Sequence, residues 1–233
     1  MTSPHGADAG PAVVVVTAVK SLEAAKSRFA APGDGRREAV PGLVLAMLLD
    51  TLATAAATPG VVGVHVVSPD PAVRAAAEAA GARTVDEPAP GGLNAALEAG
   101  ARAARAEHGP GVAVLALQAD LPGVTPAELT AFLAATAGRR GFAPDHAGTG
   151  TAALYAPPGT ALRAAFGPDS AAAHRAGGAA RHAGPWPGLR TDVDTPQDLA
   201  GAGALGERTA AVLAAADREF ASKTRGRYAR MER

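Results

Sequence analysis

The sequence predicts an α/β fold, with a mostly parallel, mixed central sheet and helices on both faces. Short apolar or β-branched runs recur at Val13 to Ala18, Val61 to Val67 and Val112 to Gln118, as strands buried on both faces do. Longer stretches with helical patterning lie between them, over 36–58, 72–80 and 93–107. Strands that alternate with helices run parallel, because each crossover needs a helix to carry the chain back.

The elements follow in order. Val13 to Ala18 is the first strand. The helical stretch over 36–58 is interrupted early by Pro41-Gly42, and Val61 to Val67 is the second strand. Ser68-Pro69-Asp70-Pro71 is a turn that puts a proline at a first helical position, where its missing N–H costs nothing. Arg83 to Asp86 is a short third strand, and Gly91-Gly92 precedes the helix of 93–107. Val112 to Gln118 is the fourth strand, and Thr125-Pro126 opens the next helix. From Gly141 the rhythm breaks into short apolar pieces, 141–143 and 152–156, between Gly/Pro loops. A last helix is expected over Glu207 to Phe220. The boundaries are a disordered N-terminus over 1–11, one domain over 12–221, and a basic tail over 222–233 that reads as a solvated, mobile end.

Composition narrows the function. Lys+Arg 22 balance Asp+Glu 22, which gives no electrostatic reason to bind nucleic acid or an anionic membrane. There is no cysteine, so thiolate metal sites and disulfides are excluded. No apolar stretch reaches the length of a membrane span, and the N-terminus lacks a basic region followed by an apolar core. The expected compartment is the cytoplasm.

Three aspartates stand out. Asp120 closes the apolar run Val112 to Ala119, where a strand ends and the chain turns. Asp192 and Asp194 alternate, so in extended chain both carboxylates point to one side. Three carboxylates around one cleft form an all-oxygen site that suits Mg²⁺ and phosphate. After the first strand come Lys20, Lys26 and Arg28, which fit either a triphosphate screen or a solvated basic loop. The glycines of a P-loop are missing there, as is the dinucleotide fingerprint. Gly92 and Asn94 open a helix; Asn94 fits a base-edge contact or, more simply, a cap. Gly148-Thr149-Gly150-Thr151 fits an anion nest or a hairpin turn. Ser170, after Phe166-Gly167-Pro168-Asp169, fits an N-cap whose N–H groups could seat an anion. His174 lies one turn on, and a lone histidine is more often structural.

In their order and spacing these motifs resemble the phosphoenolpyruvate / 2-phospho-L-lactate guanylyltransferase family of coenzyme F-420 biosynthesis. The pieces are Val19-Lys20-Ser21-Leu22, Ala25-Lys26-Ser27-Arg28, Gly92-Leu93-Asn94-Ala95-Ala96, Gln118-Ala119-Asp120-Leu121-Pro122, Gly148-Thr149-Gly150-Thr151, Phe166-Gly167-Pro168-Asp169-Ser170 and Arg190-Thr191-Asp192-Val193-Asp194-Thr195-Pro196. The resemblance implies a single Rossmann-like nucleotidyltransferase domain. It implies Mg²⁺ on Asp120, Asp192 and Asp194, and a phosphorylated three-carbon acid on Thr151, Gly167 and Ser170. Lys20, Lys26, Arg28, Gly92 and Asn94 would face GTP, with Lys26 also in the catalytic set. A homodimer is compatible with this reading.

Overall fold

Four consecutive valines make β1 (Val13–Ala18) apolar on both faces, and the sheet is built outward from it. The computed structural model describes residues 10–22, 40–195 and 197–218. In it β1 pairs in parallel with β2 (Val61–Val67) on one side and with β4 (Ala113–Leu117) on the other. β3 (Arg83–Val85) extends the sheet beyond β2, also in parallel. Past β4 the direction reverses: β6 (Thr151–Ala156) runs antiparallel to both β4 and β5 (Gly141–Pro144). β7 (Ala180–Arg181) finishes the edge parallel to β5. The order is β3-β2-β1-β4-β6-β5-β7.

Alternation along the strands sorts the core into two layers. Val13 and Val15 pack with α1 (Val40–Ala56), α2 (Pro71–Ala79) and α4 (Pro126–Thr136). Val14 and Val16 pack on the other face with α3 (Leu93–His108) and α5 (Ser170–Ala176). The four parallel strands and the helices α2 and α3 agree with the sequence reading to within a residue, whereas the helix read over 36–58 is described from Val40 to Ala56, with 36–39 outside the described residues. β7 was absent from that reading, because two exposed residues carry no hydrophobic signal.

Polar side chains fix the helix ends. Asp70 Oδ1 accepts from the N–H groups of Ala72 and Val73 at the start of α2, while Oδ2 accepts from Leu22 N at 2.9 Å. One carboxylate thus caps α2 and ties down the chain leaving β1. The Leu22 N–H is the main reason its pKa lies below the ordinary carboxylate value. α4 begins with a capping box: Thr125 Oγ1 accepts from Glu128 N, and Glu128 Oε2 accepts from Thr125 N. Helix 207–218 is capped from a distance. Its first N–H groups, those of Arg208 and Thr209, donate to the buried Asp50 carboxylate of α1 at 3.2 and 2.8 Å.

α3 lies unusually close to the sheet. A Cβ on Gly100 would sit 2.3 Å from Val16 Cγ1 and 3.0 Å from Val67 Cγ2. Gly100→Ala is expected to force α3 off the sheet and cost about 1–3 kcal/mol, read as a lower urea midpoint with an unchanged m-value.

Candidate active site

The chain leaves β1 toward β2 and β3, then returns past β1 to lay down β4 on its other side. Open α/β sheets hold ligands at such a reversal, outside the carboxyl ends of the strands. A cleft of about 230 Å³ lies there. Ala18 to Ser21 from the β1 end, Leu93 from the start of α3, and Gln118 to Asp120 from the β4 end line it. Val193 and Asp194 close it from the C-terminal half, and Met47 and Leu48 of α1 supply an apolar wall. Lys20, Asp120 and Asp194 therefore share one cleft. Lys26 and Arg28 lie outside the described residues.

The turn carrying Asp120 is held on several sides. Gln118 N donates to Ala152 O at 3.0 Å. Leu121 N donates to Thr51 Oγ1 at 3.3 Å, and that hydroxyl donates to Met47 O at 2.9 Å. Val193 N donates to Asp120 O at 3.0 Å, and the Val193 side chain is buried beneath. This one backbone bond brings together two acidic stretches more than seventy residues apart in the sequence.

The carboxylates gather less tightly than the alternation of 192 and 194 suggests. Among the described residues, the group of three potential metal ligands lying within 4.8 Å of one another is His65, Glu107 and His108, not the three aspartates. Asp194 lines the cleft, whereas Asp192 also feels Asp145 and His146. The chain turns directly after Val193: Asp194 N and Thr195 N both donate to Asp198 Oδ2, at 3.1 and 2.7 Å. Asp198, the first residue of the short helix Asp198–Gly201 whose N-cap is Gln197, thus closes this turn with its side chain. Burial, and then the negative charges of Asp194 and Asp145, raise the Asp192 pKa above the usual carboxylate value, against its own backbone N–H and His146. Asp120 and Asp194 are the carboxylates that line the cleft beside Lys20, an oxygen donor set of the kind a hard divalent cation such as Mg²⁺ takes, while Asp192 is not among its lining residues.

Two expected anion seats are filled by the protein itself. In the Gly148–Gly150 turn, Asp145 Oδ1 accepts from Gly148 N at 2.6 Å and Oδ2 accepts from Gly150 N at 3.0 Å. A Cβ on Gly150 would sit 2.3 Å from Asp145 Oδ2 and would push that carboxylate off the turn. At the start of α5 the cap is Asp169, not Ser170. Ser170 N donates to Gly167 O, Ala171 N to Thr149 O, and Ala172 N and Ala173 N to Asp169 O. Asn94 is neither a cap nor an open base-edge contact: Gly92 caps α3, its N–H donating to Glu87 Oε1 at 2.9 Å. The Asn94 amide clamps Phe166, accepting from its N–H at 2.7 Å and donating to its carbonyl at 3.0 Å. That clamp ties the 166–170 loop to the first turn of α3.

Of the three acceptor candidates, Gly167 is exposed at φ 134°, while Thr151 and Ser170 are buried. The Thr151 hydroxyl meets His174. Ala165 N donates to His174 Nε2 at 3.0 Å, so that nitrogen is unprotonated. The ring proton is then on Nδ1 and donates to Thr151 Oγ1 at 2.9 Å. The ring lies between Phe142 and Phe166, which makes His174 a structural histidine. Sequence reasoning passed over Thr51, Asp145 and Arg190 as site-builders. Arg190 donates from Nε to Pro144 O and from Nη2 to Asp145 O.

Residues 42–185 match the MobA-like NTP transferase domain family, which defines the class as a nucleotidyltransferase. A solved chain from Desulfovibrio desulfuricans G20, provisionally assigned as a nucleotide-diphospho-sugar transferase, shares the fold at a TM-score of 0.61 and 15% identity. That match covers 89% of this chain and 96% of the other. The phosphoenolpyruvate guanylyltransferase of Nocardia farcinica is 51% identical over 199 residues, 84% of this chain and 87% of its own. That of Geodermatophilus obscurus is 51% identical over 210 residues, 88% of this chain and 95% of its own. The chain belongs to this phosphoenolpyruvate guanylyltransferase family.

Burial, with Arg140 nearby, lowers the His174 pKa to about 4. The unfolded chain takes up that proton near 6.5 and the native state does not, so the stability it confers is complete above pH 6.5. It drains away as pH falls from 6.5 to about 4, by roughly 3 kcal/mol. Urea titrations across that window are expected to show a shallower pH slope for His174→Gln than for the parent.

Proposed function

We propose that this cleft binds GTP and transfers its GMP unit to phosphoenolpyruvate, giving enolpyruvyl-diphospho-5'-guanosine and pyrophosphate, a step of coenzyme F-420 biosynthesis. The observation that carries the reading is Lys20, Asp120 and Asp194 lining one cleft at the reversal of the sheet, in a chain about half identical to proteins named for that activity. No helix among the described residues is long and apolar enough to cross a membrane, and the reading places the enzyme in the cytoplasm.

The reaction asks the protein for position and charge. A phosphate oxygen of the acceptor attacks the α-phosphorus of GTP in line; a P–O bond forms there, and the bond to the β-phosphate oxygen breaks. The acceptor phosphate is already ionised at neutral pH, so no general base is needed. Lys20 faces the polyphosphate, and the sequence adds Lys26 and Arg28 a few residues on. Mg²⁺ held by Asp120, Asp194 and Asp192 would offset the charge that builds up on the phosphate oxygens. The acceptor lies toward the 166–170 loop, where Gly167 exposes its backbone and Asn94 fixes Phe166. Thr151 supports that loop through His174, whose Nε2 accepts from Ala165 N, and Ser170 is its buried end.

Asp120→Asn is expected to lower kcat by at least a hundredfold while far-UV circular dichroism stays native, measured as pyrophosphate released from GTP and phosphoenolpyruvate. Activity near that of the parent would remove Asp120 from the chemistry. Parallel assays with 2-phospho-L-lactate and 3-phosphoglycerate fix the acceptor. Gly167→Ala is expected to raise KM for phosphoenolpyruvate severalfold and leave KM for GTP unchanged, because its φ of 134° is strained for any residue with a Cβ.

A further inference from the structure

His65 lies in the middle of β2 and is 1% exposed, an unusual place for an imidazole. Its Nε2 is 3.2 Å from Glu107 Oε2, in the last turn of α3. The other oxygen of Glu107 is 3.9 Å from Nε2 of the adjacent His108. These ligand atoms all lie within 4.8 Å of one another.

A second observation points the same way. Gly63 stands two residues before His65 on the same face of β2, and a Cβ there would come 3.1 Å from His108 Nε2. The strand gives up a side chain where the His108 ring lies over it. The last carbonyls of α3 add partial negative charge at this end of the helix.

The geometry points to a divalent-cation site formed by His65 Nε2, the Glu107 carboxylate and His108 Nε2. Two imidazoles and one carboxylate suit a nitrogen-preferring ion such as Zn²⁺, with water completing the shell. Ligands around a tetrahedral ion of this size are roughly 3.3 Å apart. The His65–Glu107 separation already has that value, and the partly exposed Glu107 and His108 close the rest by small side-chain movements. Arg83, whose Nη1 is 2.7 Å from Glu107 Oε2, is the competing cation; its side chain is 56% exposed and free to swing outward. The site is distinct from the acidic cleft, since Leu93 and His108 are opposite ends of a helix about 24 Å long. A bound ion would staple the end of α3 to β2.

The test titrates Zn²⁺ into the metal-free full-length chain against a chromophoric chelator, with excess Mg²⁺ present to occupy the oxygen-rich cleft. The expected result is one Zn²⁺ per chain, with binding weakened at least tenfold in both His108→Ala and Glu107→Gln and tightened in Arg83→Ala. Both ligand variants alter partly exposed side chains and are checked for native circular dichroism. Absence of Zn²⁺ binding in the parent chain, or unchanged binding in both ligand variants, would overturn the assignment.

Discussion

Everything near the cleft depends on β1 having parallel partners on both sides. The chain must run out through β2 and β3, turn back, and cross α3 over the sheet before it can lay down β4. The loops after β1 and β4 both lead to helices on one face, α1 and α4, while the start of α3 reaches the strand ends from the other, and the cleft lies between them. Four valines in succession make this arrangement stable, because a strand buried on both faces loses apolar contact in any other place. The narrow spacing at Gly100 follows from the same demand: α3 must pass directly over β1 to bring its first turn to the gap.

The protein's own carboxylates decide which backbone N–H groups remain for a ligand. Asp145 fills the glycine turn, Glu87 takes the N–H at the head of α3, Asp50 takes the start of helix 207–218, and Asp198 takes the turn after Val193. Internal capping of this kind stiffens the loops without recruiting a ligand. The charged side chains that face the cleft, Lys20, Asp120 and Asp194, are on segments held by backbone bonds, the Thr51 hydroxyl and the carboxylates of Asp70 and Asp198.

Much of this was legible in the sequence, for identifiable reasons. Val13 to Ala18 and Val61 to Val67 read as strands at their true limits, the first because burial on both faces leaves an apolar run, the second because its valines cluster around Gly63 and His65. Asp120 was legible because a polar residue closing such a run marks a strand end, and strand ends are where this sheet opens. The antiparallel insertion of β6 was not, since 152–156 carries the same apolar signal in either direction. The filled nests were also hidden. Glycine spacing reports that a backbone can wrap an anion, but the anion proved to be Asp145, three to five residues before the glycines it binds. Asp192 and Asp194 alternate as expected, yet Asp198 bends the chain between the pairing at Val193 and the helix that follows. Thr51 gave no signal, as one of three polar side chains, with Asp50 and Thr54, on a mostly apolar helix.

The bond between Asp50 and the start of helix 207–218 spans 158 residues. Gly206 N also reaches back to Pro122 O, and Val193 to Asp120. The last strip of chain thus finds its docking partners only in segments synthesised long before it. On the ribosome the sheet can assemble while the acidic pair at 192 and 194 is still in the exit tunnel. A nascent chain of this kind can form its sheet before the segment that closes the cleft has emerged.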